Sequence, residues 1–270
     1  MKIGIIYHSG TGTTARLAQE IKSGFEEKGN AVQIFRIPKF RIEDIEDFDI
    51  LGIGTPTMGF RTPSFVMDFI KLFPTKNQPY FLFNTCSGTL VNTFSRIYRH
   101  LKKKNWKLLD VLSLKGQGTT NIKAWRPKIT EELSKMDGIA ESEFEKAKQF
   151  TSSILENYTQ IIQEKTSPAK TVKLKYLMTV MFLLSDNLLA KGTIGKKVVN
   201  LERCTKCGLC ATKICPSGCI TLNSESIPEF NEKLCISCQG CVNLCPELAI
   251  TGKGKKNYPY TTYNKYIIQS

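Results

Sequence analysis

Eight of the ten cysteines stand in two runs near the end of the chain. The first reads Cys204-x-x-Cys207-x-x-Cys210-x-x-x-x-Cys215-Pro216, and the second Cys235-x-x-Cys238-x-x-Cys241-x-x-x-Cys245-Pro246. Thiolates three residues apart can wrap three corners of an inorganic cube, and a more distant cysteine ahead of a proline supplies the fourth. The chemistry of such a group is one-electron transfer. Zinc is the metal alternative, but its sites pair one C-x-x-C with a second pair a dozen or more residues away. A disulfide framework belongs to secreted chains, and nothing else in this sequence looks secreted.

The second run matches the pattern of bacterial ferredoxins residue for residue, and the first departs by one extra residue between Cys210 and Cys215. In two-cluster ferredoxins the fourth thiolate of each run serves the other run's cluster. The resemblance therefore implies one [4Fe–4S] centre on Cys204, Cys207, Cys210 and Cys245, and a second on Cys235, Cys238, Cys241 and Cys215. The insertion is expected to change the geometry of the first run. Cys219 stands where the second half has Ala249, and reads as a small buried residue beside the cluster, with a ligand swap as its alternative.

A second chemistry is written at the other end. The apolar run Lys2–Tyr7 leads into His8-Ser9-Gly10-Thr11-Gly12-Thr13-Thr14. Glycines let a backbone bring its N–H groups close to an anion, hydroxyls add donors, and a following helix start adds more. This suits a phosphate held without Lys or Arg. The loop has neither the Gly-Lys-Ser/Thr ending of a Walker A loop nor a G-x-G-x-x-G fingerprint. His8 reads more readily as packing than as a ligand, Cys86 as a small hydrophobe, and Arg61 as a solvated loop residue. Trp106 and Trp125 read as packing.

Ser9, Gly10, Thr11, Gly12, Thr13 and Thr14 resemble the phosphate loop of flavodoxins. Thr55, Pro56, Thr57, Met58, Gly59 and Phe60 look like the flavodoxin loop over one face of the flavin ring, and Asn84, Thr85, Cys86, Ser87 and Gly88 like the loop on the other side. The resemblance spans about residues 1–165 and implies non-covalent FMN. It also implies that the Gly59 backbone can turn toward the reduced ring. No aromatic residue stands in the second loop, a departure from many flavodoxins.

The elements that must position these loops follow from apolar spacing. Strands are predicted over Lys2–Tyr7, Ala31–Ile37, Asp49–Gly54, Tyr80–Thr85 and Lys107–Leu114, with helices over Ala15–Lys28, Ser64–Phe73, Leu90–Lys104 and Phe144–Gln163. Strands alternating with helices specify an α/β fold, here a flavodoxin-like, doubly wound, parallel five-stranded sheet. Residues 166–197 read as a basic and apolar helical linker, expected to pack between domains, with contact to a membrane surface as the alternative. Residues 198–252 read as a small α+β two-cluster ferredoxin-like domain, an internal duplication whose clusters hold it together. The tail, 253–270, carries no readable role, and the loop Lys115–Lys128 has the length of a functional one.

The 270 residues suffice for two domains, and 41% hydrophobic with 23% charged residues is a globular composition. The formal charge of +14 falls to about +8 once two clusters and a flavin phosphate are counted. A basic surface can steer acidic partners, and no nucleic-acid motif accompanies it. No signal peptide is read ahead of the first strand, so a reducing cytoplasm is expected. As a whole the chain resembles the flavodoxin–ferredoxin fusion proteins of anaerobic bacteria and archaea. That implies electron transfer between bound FMN and two [4Fe–4S] clusters, linking a low-potential donor to a redox protein partner. The alternatives are a flavin-dependent reductase of a small molecule fed by the ferredoxin domain, and an iron–sulfur redox sensor. No catalytic acid or base is assigned.

Overall fold

The computed structural model describes residues 1–37, 39–58, 61–87, 93–116, 139–163 and 195–253. Expectations for Gly59, Phe60, Gly88 and Trp125, and most of those for the 115–128 loop, the linker and the tail, lie outside these residues.

Five strands, β1 (Lys2–Tyr7), β2 (Ala31–Arg36), β3 (Ile50–Pro56), β4 (Pro79–Cys86) and β5 (Lys107–Lys115), form one sheet in the order β2-β1-β3-β4-β5. Every pairing is parallel, with Lys2 opposite Ala31 and Ile3 opposite Ile50. The central strands β1, β3 and β4 read as nearly unbroken apolar runs because both faces are covered. Phe81 and Phe83 of β4 point to one face, under α1 (Thr13–Glu26) and α4 (Glu141–Ile162). Tyr80 and Leu82 point to the other, under α2 (Ser64–Lys71) and α3 (Thr93–Lys103). Period-two side chains on a doubly covered sheet give two separate cores. Trp106 belongs to the second, stacked on Phe73 with ring centroids 5.2 Å apart.

Strand order reverses at β1, and ligands of open α/β sheets sit in the crevice at such a point, beyond the carboxyl ends of the strands. The βα boundaries there differ from the sequence expectation. Helix α1 begins at Thr13 rather than Ala15, because Gly12 takes a left-handed φ of 87° and starts the helix at once. Strands β3 and β4 run on to Pro56 and Cys86. A 3₁₀ segment, Ile42–Asp47, was not expected; its Ile45 is buried in the second core.

The cysteine-rich part holds four three-residue strands. β6 (Lys197–Val199) pairs antiparallel with β9 (Ile250–Gly252), and β7 (Ile220–Leu222) with β8 (Pro228–Phe230). β6 and β8 have no sequence signal, since three residues are too few to reveal a period. A short helix, α5 (Gly240–Asn243), follows Cys238.

This part is seated on the first core. Ile214 and Leu244, at matching places in the two cysteine runs, are buried among Tyr7, Leu17 and the rest of that cluster. The buried guanidinium of Arg36, at the end of β2, donates to the carbonyls of Lys213 (2.6 Å) and Ile214 (3.2 Å). A cation at the closing carbonyls of a helical turn is well placed. Replacing Arg36 by Met keeps most of the stem but leaves those carbonyls without their donor. Arg36→Met is expected to cost about 1–3 kcal/mol, read as a lower urea midpoint by far-UV circular dichroism. An unchanged midpoint would show that the seating does not depend on this contact.

Candidate cofactor site

The loop after β1 is built as an anion cradle. The Gly12 N–H donates to Ser9 Oγ (3.1 Å), which folds the loop back before α1 starts. Thr11 and Thr13 hydroxyls meet at 3.0 Å. The Thr14 hydroxyl meets that of Thr85 at 2.8 Å, tying this loop to the one after β4. No side chain caps the first turn of α1, and a helix start leaves its first N–H groups without intrahelical partners. That arrangement suits a phosphate.

The other two loops are tied together in the same way. Asn84 Nδ2 donates to Thr57 Oγ1 (2.6 Å), the Thr57 hydroxyl lies 2.8 Å from that of Thr93, and the Thr57 N–H donates to the Thr85 carbonyl (3.1 Å). Backbone bonds between Met58 and Arg61 close a turn at the end of β3.

Between the loops lies an open cleft of about 630 Å³, open solvent included. Of the expected residues, Gly10, Thr11, Thr13, Thr14, Pro56, Thr57, Met58, Thr85, Cys86 and Ser87 line it. Ser9, Gly12, Thr55 and Asn84 do not; they stand behind it as hydrogen-bonding and strand residues. Five lining residues were not foreseen. Gly116 and Ile139 flank the 117–138 stretch, while Cys238, Gln239 and Asn243 come from the cysteine-rich part. Only the fold brings those three to the flavodoxin-like loops.

The approach is close. A Cβ added at Gly10 would stand 2.4 Å from the Cys238 carbonyl oxygen, a backbone atom that cannot swing aside. His8 lies just before this loop, buried, with its ring edge-on to Phe65 at 4.5 Å between centroids. Burial, and then the nearby Arg36 guanidinium, lower its pKa to about 3. It is neutral near pH 7, so it brings no charge to the cradle.

The eight run cysteines sort into two sets across the runs. Cys204, Cys207, Cys210 and Cys245 line one small cleft. Cys215, Cys235, Cys238 and Cys241 line another, together with Cys219. All ten cysteines are free thiols. Among the described residues no three His, Cys, Asp or Glu side chains come close enough to grip a single ion. Thiols spread around a cavity fit a cube better than one zinc.

The extra residue of the first run is absorbed locally. Cys210–Ile214 forms a π-helical turn, and the Cys215 N–H bonds back to the Cys210 carbonyl at 3.0 Å. A π turn takes in one more residue than an α turn, so Cys215 still reaches the opposite cavity. The two loops also repeat their backbone. Lys206 and Gly208 have positive φ in the first run, as do Ser237 and Gln239 at the same places in the second.

Sulfur atoms of both sets accept backbone donors, Ser237 N–H to Cys235 Sγ and Ala249 N–H to Cys245 Sγ, each at 3.3 Å. Cys219 is buried with its Sγ 3.5 Å from that of Cys215. Lys197 was missed by the sequence reading. Its ammonium sits 2.7 Å from Glu232 and beside Cys235. Burial pulls its pKa down, but those hydrogen bonds outweigh it and hold the group above the usual lysine range.

Two family models match the chain, that for flavodoxin over residues 5–100 and that for a 4Fe-4S binding domain over residues 228–251. A flavodoxin match precedes a 4Fe-4S match on one chain, as in a flavodoxin–ferredoxin fusion. The second match takes in the Cys235–Cys245 run and leaves the Cys204–Cys215 run outside it. A flavodoxin of Megasphaera elsdenii is 33% identical over 57 residues, 21% of this chain and 42% of that protein, so the match spans under half of its length. Among solved structures, a flavodoxin from the Archaea covers 59% of this chain and 99% of its own, at 13% identity and a TM-score of 0.44. Two-electron reduced Megasphaera elsdenii flavodoxin covers 41% and 84%, at 22% and 0.39. Rubredoxin oxygen:oxidoreductase from Desulfovibrio gigas covers 58% and 36%, at 14% and 0.45. A flavodoxin domain implies FMN and a 4Fe-4S domain an iron–sulfur cluster, and the cradle and the thiol cavities fit them. Both domain types serve electron transfer.

The buried neutral His8 has a consequence for stability. Its folded pKa is depressed, so its stabilising contribution is present above the unfolded value of 6.5 and is lost as pH falls toward about 3. Within that window the stability should fall by up to about 1.4 kcal/mol per pH unit. Urea unfolding of the wild type against His8→Gln checks it: the variant should show the shallower pH slope. Equal slopes would mean that His8 does not titrate as its burial demands.

Proposed function

We propose that this protein passes electrons between one FMN and two [4Fe–4S] clusters held on a single chain, and so links a low-potential donor to a redox protein partner. One observation carries the reading: Cys238 and Gln239 line both the flavin cavity and the second thiol cavity. A ligand thiol of one cofactor site is thus a wall of the other. When bound, the flavin takes up one or two electrons while a cluster passes one at a time.

The chain's own residues do the rest. The Gly10–Thr14 loop holds the phosphate, while Met58 and Ile139 supply apolar wall. The described lining offers hydroxyls, amides and thiols and no carboxylate, histidine or lysine. Such a wall holds a cofactor rather than moving a substrate's protons, which favours a carrier over a reductase.

The relay has an order. The set with Cys215, Cys235, Cys238 and Cys241 is proximal to the flavin. The set with Cys204, Cys207, Cys210 and Cys245 is distal, and its Cys207 is exposed, open to a partner's approach. The chain's positive charge favours an acidic partner surface, and reduced thiols suit the cytoplasm. Among the described residues no helix is long and apolar enough to cross a membrane.

Anaerobically reconstituted protein should hold about eight irons and one FMN and take up about four electrons. The crossing of the runs is the sharper check. Cys215→Ser and Cys235→Ser should each lose the same cluster, and the double variant no more than either alone. Cys215→Ser with Cys245→Ser should lose both clusters. Iron and the paramagnetic signal of the reduced protein read the result. A Cys215–Cys235 pair that strips all the iron would contradict the assignment.

A further inference from the structure

We propose that Asn243, a residue of the iron–sulfur domain, is a direct ligand of FMN, so that the flavin site is completed by the second domain. The inference rests on the FMN reading above and adds a residue that no feature of a flavodoxin sequence supplies.

Asn243 closes α5 and stands between Val242 and Leu244 inside the second cysteine run. Leu244 is anchored in the first core, which fixes this helix against the flavodoxin domain. Asn243 itself is 8% exposed. Asn243 is one of the residues lining the flavin cavity, and its buried Nδ2 has no hydrogen-bond partner among the described residues. A buried amide donor left unmade costs about 1–3 kcal/mol, and almost all such groups in folded proteins are satisfied. Its helix offers no substitute acceptor, because the Gln239 carbonyl one turn back already accepts the N–H groups of Val242 (3.1 Å) and Asn243 (3.0 Å). An oxygen acceptor entering the cavity meets that need.

The neighbourhood indicates which end of the flavin supplies it. The first residue of α5, Gly240, has its nitrogen 4.0 Å from the Cβ position of Gly10, and the Cys238 carbonyl is nearer still. The helix therefore enters beside the phosphate loop. Asn243 donates to an oxygen of the phosphate, the group that the Gly10–Thr14 loop is shaped to hold. Binding FMN satisfies this amide and adds a cofactor contact to the seat that Leu244 already gives the short helix.

The test uses the full chain, loaded with its clusters and stripped of flavin, titrated calorimetrically with FMN and separately with riboflavin. Asn243→Ala should weaken FMN about tenfold, the scale of a hydrogen bond to a charged group, and riboflavin much less. Asn243→Asp, which sets a carboxylate against the phosphate, should weaken FMN more than Asn243→Ala does. Iron content reports whether each variant keeps its fold. Should Asn243→Ala lose iron, Asn243→Ser, small and still polar, is titrated instead with the same expectation. An unchanged FMN affinity, or equal losses for FMN and riboflavin, would overturn the proposal. Wild-type protein that takes up no FMN would instead sink the flavin reading on which it rests.

Discussion

Two stretches of backbone meet where Gly10 faces the carbonyl of Cys238, and the working of the molecule depends on that contact. There is no room for a Cβ between them. One stretch is the anion cradle after the first strand, and the other carries Cys238 of the second thiol set. A side chain of any size at position 10 would have to push a cofactor site away from its neighbour. The buried Ile214 and Leu244 and the guanidinium of Arg36 serve the same end from the far side, holding the iron–sulfur domain down on the flavodoxin core. The contact is small and lies on the cavity wall, between two half-buried residues.

The π turn at Cys210–Ile214 belongs to the same economy of position. The inserted residue could have swung Cys215 away from the second thiol set. Winding the segment one residue looser keeps Cys215 in its cavity, and keeps Ile214 at the place that Leu244 occupies in the other half. The insertion changes the turn and leaves both the ligand and the anchor where the duplication demands.

Much of this was legible in the residues themselves. The three-residue spacing of the thiols, the cradle after the first strand and the five parallel strands follow from local pattern, while the sorting of the fourth thiols across the runs was implied by the resemblance to two-cluster ferredoxins. What was hidden depends on distant contacts. No periodicity marks β6 or β8, and a π turn looks like a misplaced cysteine until its hydrogen bond to Cys210 is seen. Arg36 reads as an ordinary strand end, and its partners lie about 177 positions away. Lys197 and Asn243 likewise acquire meaning only from what the fold brings to them. Thr55 and Asn84, chosen for their loops, prove to be paired strand residues behind the cavity.

The most direct measurement is the rate at which an electron placed on the iron–sulfur domain reaches the flavin. A light pulse with a photoreductant can inject that electron into the anaerobic holoprotein, and the flavin absorbance follows its arrival. The account predicts a rate constant that does not change on dilution and that is smaller in Gly10→Ala, where the two sites are forced apart. A rate that scales with protein concentration, or one that Gly10→Ala leaves untouched, would contradict it.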